Sequence, residues 1–235
     1  MLAVYKREFK SYFTSLTGYL FMAFILFFIG LYFTAYNLSN YYVASFTYPL
    51  YSVNFVFMIA IPILTMRTLA DDRKSKTDQL LLTSPVSVTK IVLGKYLAMV
   101  SVYFLVCVVC ALGPLVISQY GTPNFRTDYA MLLAFFLSGC AYLAIGLYIS
   151  SLTESPVLAC IGTFGALLIL YLLSDIGGLI PIDAVGSLFT SLSIQERLMN
   201  FANNLLDLPS LIYFLSVAGF FVFMSIQSVN KRRWH

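Results

Sequence analysis

The chain is 235 residues long, 60% hydrophobic and only 10% charged, with a formal net charge of +4. A soluble globular domain carries roughly 25% charged residues, so this composition excludes one. It is the composition of an integral membrane protein with most of its mass in the bilayer, and the basic excess is accounted for by topology without a nucleic-acid partner.

Residues 1–16 place Leu2, Tyr5, Phe9, Tyr12, Phe13 and Leu16 at helical spacing, with Lys6, Arg7, Lys10, Ser11 and Thr14 largely on the other side. This predicts a short amphipathic helix lying in the membrane interface. The apolar run from Gly18 to Tyr36 is too long for a signal peptide and has no small-residue cleavage site, so residues 17–37 are expected to stay as a first span. A second span covers residues 49–66, and Pro62 is expected to kink or weaken its last turn.

The densest charge in the chain follows, carried by Arg67, Asp71, Asp72, Arg73, Lys74, Lys76, Asp78, Lys90 and Lys95. Set between two hydrophobic segments, it reads as a sizeable loop (residues 67–90) held out of the bilayer. Leu69 and Ala70, the basic residues after them and Leu80, Leu81 and Leu82 form a short helical pattern that Pro85 stops. Thr89 is the expected cap of the next helix. Such a helix is suited to insert into a groove on a soluble partner; a solvated loop touching anionic lipid is the plainer alternative.

The third span, residues 91–118, is longer than a bilayer requires, so its beginning is expected to project or tilt. Spans four, five and six cover residues 129–151, 156–174 and 209–229, and the short link Leu152 to Ser155 makes four and five an antiparallel hairpin. Residues 175–208 are half apolar and broken by Gly177, Gly178 and Pro181, so this segment is expected to dip into the outer leaflet or to pack on the bundle as short helices. Residues 230–235 form a basic tail.

With the amino terminus in the cytoplasm, six spans return the carboxyl terminus to the same side. Lys6, Arg7, Lys10, six bases from Arg67 to Lys95, and Lys231, Arg232 and Arg233 then face the cytoplasm, which is twelve of the fourteen basic residues. Arg126 and Arg197 lie outside.

Catalytic chemistry is sparsely provided. Cys107, Cys110, Cys140 and Cys160 all fall within spans and read as inert buried thiols, and the single histidine is His235, the last residue. Asp128 and Asp175 sit at span ends and read as interfacial. No phosphate loop, zinc motif or nucleophile elbow occurs, so the chain is expected to be no enzyme and to bind no cofactor or metal. The spans lack the mid-membrane charges of an ion-driven carrier. Asn37, Asn54, Ser101, Ser138, Thr163 and Gln227 are polar residues suited to line a cavity or to join helices, and Asn54, Ser101, Ser138 and Thr163 are the expected translocation path.

The string D-D-R-K-S-K-T-D-Q-L-L-L-T-S-P-V-S from Asp71, followed by I-V-L-G-K-Y-L-A from Ile91, resembles the coupling region of type-2 ABC transporter permeases. The opening K-R-E-F-K-S-Y-F-T-S-L-T-G-Y and the segment P-I-L-T-M-R-T-L-A-D-D from Pro62 are similar, more narrowly, to the permease of the gliding-motility-type branch. Lys76 departs from the pattern, since many relatives carry Gly before the Thr. The resemblance implies an all-α integral membrane fold like that of type V ABC exporters: six transmembrane helices, an amino-terminal amphipathic elbow helix, a cytoplasmic coupling helix at Thr68 to Ser84 and an external re-entrant segment. It implies that Asp71, Asp72, Arg73, Lys74, Lys76, Thr77, Leu80, Leu81 and Leu82 couple the chain to a separate ATP-binding-cassette ATPase, which would hold the ATP and magnesium. It further implies a permease homodimer or heterodimer in a bacterial cytoplasmic membrane, with membrane lipids and an accessory membrane protein as further partners. A membrane scaffold that recruits a cytoplasmic partner through the charged loop without transport is the competing reading, and a small integral membrane enzyme is the third.

Overall fold

The computed structural model describes residues 1–39, 45–77, 87–179, 189–203 and 207–233, and among these every regular element is helical. Six stretches are long and apolar enough to cross a membrane: Leu16–Leu38, Thr47–Lys74, Val88–Ile117, Phe125–Leu152, Pro156–Gly178 and Leu208–Lys231.

Helix α1 (Leu2–Thr14) stops at Ser15, whose extended backbone turns the chain into α2 (Leu16–Phe33). The corner is tight: a Cβ on Gly18 would lie 2.6 Å from the Tyr12 carbonyl oxygen. A π-helical turn, Thr34–Leu38, closes this first span. The second span is built of α3 (Thr47–Val53), a 3-10 turn (Asn54–Val56) and α4 (Phe57–Thr65). An irregular turn therefore falls at Asn54–Val56. The helix runs through the proline, and the Met66 N–H still bonds the Pro62 carbonyl at 2.9 Å.

Helix α5 (Ala70–Lys74) follows, and α6 (Val88–Cys110) begins after Ser87, which takes the cap position expected for Thr89. A turn at Ala111 and Leu112 separates α6 from α7 (Gly113–Ile117), with Pro114 in the first turn, where its missing N–H costs nothing. The fourth and fifth spans are α8 (Phe125–Leu152) and α9 (Pro156–Leu179). Helix α10 (Ile194–Asn203) precedes the last span, α11 (Leu208–Arg233).

The second and fourth spans form the centre of the bundle. Within the chain, 72% of each of their apolar windows is buried, against 28%, 22% and 28% for spans one, five and six, which keep broad faces for lipid or another chain. Small residues let the central helices approach. Gly139 on α8 lies directly against the Tyr103 ring of α6, and a Cβ on Gly146 would come within 2.6 Å of Thr65 Oγ1 on α4. Around this contact Phe57 stacks on Phe135 at 4.9 Å and meets Tyr103 and Tyr142 edge-on. The buried Tyr103 hydroxyl donates to the Phe135 carbonyl at 2.7 Å, so the ring is buried without leaving a polar atom unpaired.

At the bundle end opposite α5, Asp128, in the first turn of α8, is fully buried within the chain. Its Oδ1 accepts from the Phe46 N–H at 2.9 Å, Ser45 Oγ at 3.0 Å and Thr47 Oγ1 at 3.3 Å. A carboxylate from α8 thereby caps the start of α3, which has no side-chain cap of its own. Asp175 is exposed, in keeping with its interfacial reading. Helix α10 buries Ile194, Leu198 and Phe201 against the bundle, and Gln195 donates to the Tyr51 hydroxyl at 2.9 Å. The rest of the expected re-entrant segment, residues 180–188 and 204–206, lies outside the described residues.

Replacing Asp128 by Ala removes an ionic acceptor from buried donors, so it is expected to lower stability by about 2–3 kcal/mol in denaturant unfolding of the detergent-solubilised chain. Gly146→Ala forces its new methyl onto Thr65 and is expected to cost about 1–3 kcal/mol, with Thr65→Ala in the same chain recovering part of the loss.

Candidate functional site

At the charged end, the sequence places a lysine four residues after the start of an apolar run, Ile91-Val-Leu-Gly-Lys95. Grouped by sequence with the exposed loop, Lys95 is instead 1% exposed. The reason is a carbonyl and two carboxylates that converge on its ammonium. Nζ lies 2.6 Å from Asp72 Oδ2 on α5 and 3.1 Å from Glu8 Oε1 on α1, and it donates to the Thr68 carbonyl at 2.9 Å. An ammonium has three donors, and all three are used. Arg7 adds a second cation, its Nη2 lying 2.6 Å from Glu8 Oε1, so two cations and two carboxylates balance in one cluster. The Glu8 hydrogen bond raises the Arg7 pKa above its ordinary value, against the opposing effect of burial. Burial pushes the neighbouring Tyr12 phenol well above its usual range, and it stays neutral.

Gly94, the preceding residue, lets α1 come close enough for this contact. A Cβ there would meet Val4 Cβ at 3.2 Å and the Met1 carbonyl oxygen at 3.4 Å. The Gly-Lys pair at the head of the third span thus has two separable jobs, close helix approach and charge. Tyr5, one turn from Met1 on α1, shares a hydrogen bond with Ser101 on α6 at 3.0 Å.

Helix α5 is also fastened to α8. Ser150 Oγ accepts from the Leu69 N–H at 3.2 Å and the Ala70 N–H at 3.1 Å, capping α5 from another helix. Arg73 Nη2 donates to the Ser151 carbonyl, and Ser151 in turn accepts from Ser228 Oγ of α11 at 3.4 Å. A helix of five residues, little more than one turn, is too short to hold itself; its position is set by these tertiary bonds.

The residues expected to couple therefore divide in two. Asp72 and Arg73 face inward to α1, α6 and α8, whereas Asp71, Lys74, Lys76 and Thr77 are exposed. Thr77 Oγ1 folds back onto the Asp72 carbonyl and carboxylate, both at 3.2 Å. Lys76 adopts φ 57°, the left-handed conformation that glycine enters without a Cβ penalty, so its departure from the family pattern falls where the backbone favours glycine. Leu80, Leu81 and Leu82, and the rest of the expected coupling helix after Thr77, lie outside the described residues.

The residues expected to line a path are placed on four different spans. Asn54 is buried beside Tyr142 at the 3-10 turn of the second span. Ser101, Ser138 and Thr163 each donate to a carbonyl of their own helix, at 2.8, 2.9 and 2.7 Å. Asn37 donates to the Ser45 carbonyl at 2.9 Å, and Gln227 lines a cavity with Tyr148, Ser228 and Lys231. Cys107, Cys110 and Cys140 are buried free thiols, and no group able to hold a metal ion occurs among the described residues.

Glu8, Ser150 and Ser151 escaped the sequence reading. Glu8 had a signal, as the only acid among the first seventy residues and set in a basic helix. The two serines had none, since hydroxyls at a span end are common.

Lys95→Met leaves Asp72 without a cation and Glu8 with Arg7 alone, and is expected to cost about 3–5 kcal/mol of stability. Lys95→Met with Glu8→Gln and Asp72→Asn is expected to recover most of that loss in the same unfolding measurement.

Residues 34–227 match the family model described as ABC-2 family transporter protein. No curated protein matches the chain. The match spans Asp72, Lys95 and Ser150 of the clasp together with most of the six-helix bundle, and this multi-pass membrane protein belongs to the ABC-2 family of transporter proteins.

Proposed function

We propose that this chain is the permease subunit of an ATP-driven exporter and that α5 is the element through which a separate ATP-binding-cassette ATPase moves it. The observation that carries this reading is the clasp. Helix α5, with Lys74 exposed at its end and Lys76 and Thr77 exposed just beyond it, is bonded directly to α6 and α8 and, through Lys95, to α1. A push on such a helix is transmitted to three elements as a unit, because the buried ion pairs resist separation more than the exposed loop resists displacement. The basic residues around α5 support the reading that this end faces the cytoplasm, with both termini on that side, in a bacterial inner membrane. The permease acts as a dimer, through the faces that spans one, five and six leave uncovered. Among ABC-2 permeases, the gliding-motility-type branch is the one its opening segment resembles. Asn54, buried at the one break within the central spans' apolar core, is the foremost of the path residues, ahead of Ser101, Ser138 and Thr163.

The division of α5 gives the test. Co-purification with the ATPase encoded beside this chain, followed by ATPase activity in lipid, is expected to give a stable complex that Lys74→Glu weakens about tenfold or more without loss of thermal stability. Arg73→Glu is expected to lower thermal stability as well, since it breaks the bond to Ser151. A complex indifferent to nucleotide and to Lys74 would favour a scaffold that recruits its partner without transport.

A further inference from the structure

Between α1, the first turn of α2 and α5 lies a cavity of about 370 Å³. Arg7, Glu8 and Asp72 form part of its wall but are engaged in the clasp. The remainder is different: Arg67 and Asp71 both line the cavity and are exposed, and neither is ion-paired. The ion pairs among the described residues are Arg7 with Glu8 and Lys95 with Glu8 and Asp72. The hydroxyls of Ser11, Ser15 and Thr17 complete the lining that this argument uses. A guanidinium and a carboxylate thus share one cavity without meeting each other. A simple anion entering it would face Asp71, and a simple cation would face Arg67. A ligand with both charges satisfies both.

The rim identifies where such a ligand comes from. Leu16, set between the lining residues Ser15 and Thr17, is 75% exposed, and Tyr19 and Leu20 beyond it are also exposed. In a membrane-spanning chain, apolar surface of this kind at the start of a span faces acyl chains. The cavity therefore opens at the boundary between headgroups and hydrocarbon. We propose that it is a lipid site for a phosphate joined to a primary ammonium, the headgroup of phosphatidylethanolamine, with the phosphate on Arg67 and the hydroxyls, the ammonium on Asp71, and the chains along Leu16 and Leu20. Phosphocholine has the same charges, but its quaternary nitrogen has no N–H to donate to Asp71; phosphatidylglycerol has no cation for it. The site shares α5 with the proposed ATPase contact through Asp71, but its test needs no ATPase.

The full chain is reconstituted in nanodiscs of phosphatidylcholine, phosphatidylethanolamine and phosphatidylglycerol in equal parts, released into mild detergent, and its retained lipid read by native mass spectrometry. Phosphatidylethanolamine is expected to be retained about fivefold over either competitor. Arg67→Gln and Asp71→Asn are each expected to bring that ratio near one, and Lys6→Gln, on α1 but away from the cavity, to leave it unchanged. Arg67 is exposed and outside the clasp, so its variant melts with the parent chain and decides the matter should Asp71→Asn disturb α5. Equal retention of the three lipids, a preference for phosphatidylglycerol, or a ratio untouched by Arg67→Gln would overturn the assignment. Soluble phosphoethanolamine added to discs of phosphatidylcholine alone is expected to leave no bound species; its retention would overturn the lipid source.

Discussion

A lysine ammonium withdrawn from water is the constraint on which the charged end of this protein depends. An isolated charge in that position is untenable, because desolvation costs more than any single contact returns. The chain answers by bringing three acceptors from two other segments to Lys95, and that requirement fixes where α1 and α5 must sit. Helix α1 is otherwise held by the Tyr5–Ser101 hydrogen bond and by close packing on Gly94 and Gly18. Helix α5 is otherwise held by its bonds to Ser150 and Ser151. The clasp thus turns two locally unstable helices into parts of one rigid end, and Gly94 supplies the close approach without which Glu8 would not reach.

The same logic recurs at the other end of the second span. Asp128 is buried, and its carboxylate collects the first N–H of α3 and two hydroxyls. The second span is therefore held at both ends by polar groups that lie on other helices, Asp128 above and Lys95 with Ser150 below. Between these anchors it is packed through Phe57, Ala60, Ile61 and Leu64 against α8 and its neighbours, and interrupted once, at Asn54–Val56. A rod pinned at its ends with one irregular turn between them is a suitable element for a membrane domain that changes shape as a transporter must: the ends stay registered with the surrounding helices while the middle accommodates the difference.

The sequence makes the architecture legible because the bilayer leaves few choices. Without water to satisfy the backbone, a long apolar run has to be a helix, and six such runs give six spans whatever the details of packing. Their number follows from the number of apolar runs, and six stretches long and apolar enough to cross are found. The amphipathic α1 was legible for the same reason, through spacing alone. The irregularities were less so. The residues around Pro62 stay helical, while a 3-10 turn falls at Asn54–Val56, where no single residue demands it.

What the sequence by itself determined is the class of protein, the number of spans, the amphipathic lead-in and the charged segment that makes α5, because these depend on composition and period along one chain. What only the tertiary structure decided is which charges look outward and which are buried. Asp72 and Asp71 are adjacent, as are Arg73 and Lys74, and nothing local separates them; the inward pair is chosen by Glu8, Lys95, Ser150 and Ser151, which lie tens of residues away. Lys95 read as one more base of a solvated loop because its partners could not be seen along the chain. Its burial becomes favourable only when Glu8 and Asp72 arrive from opposite directions, and that meeting is a property of the folded bundle.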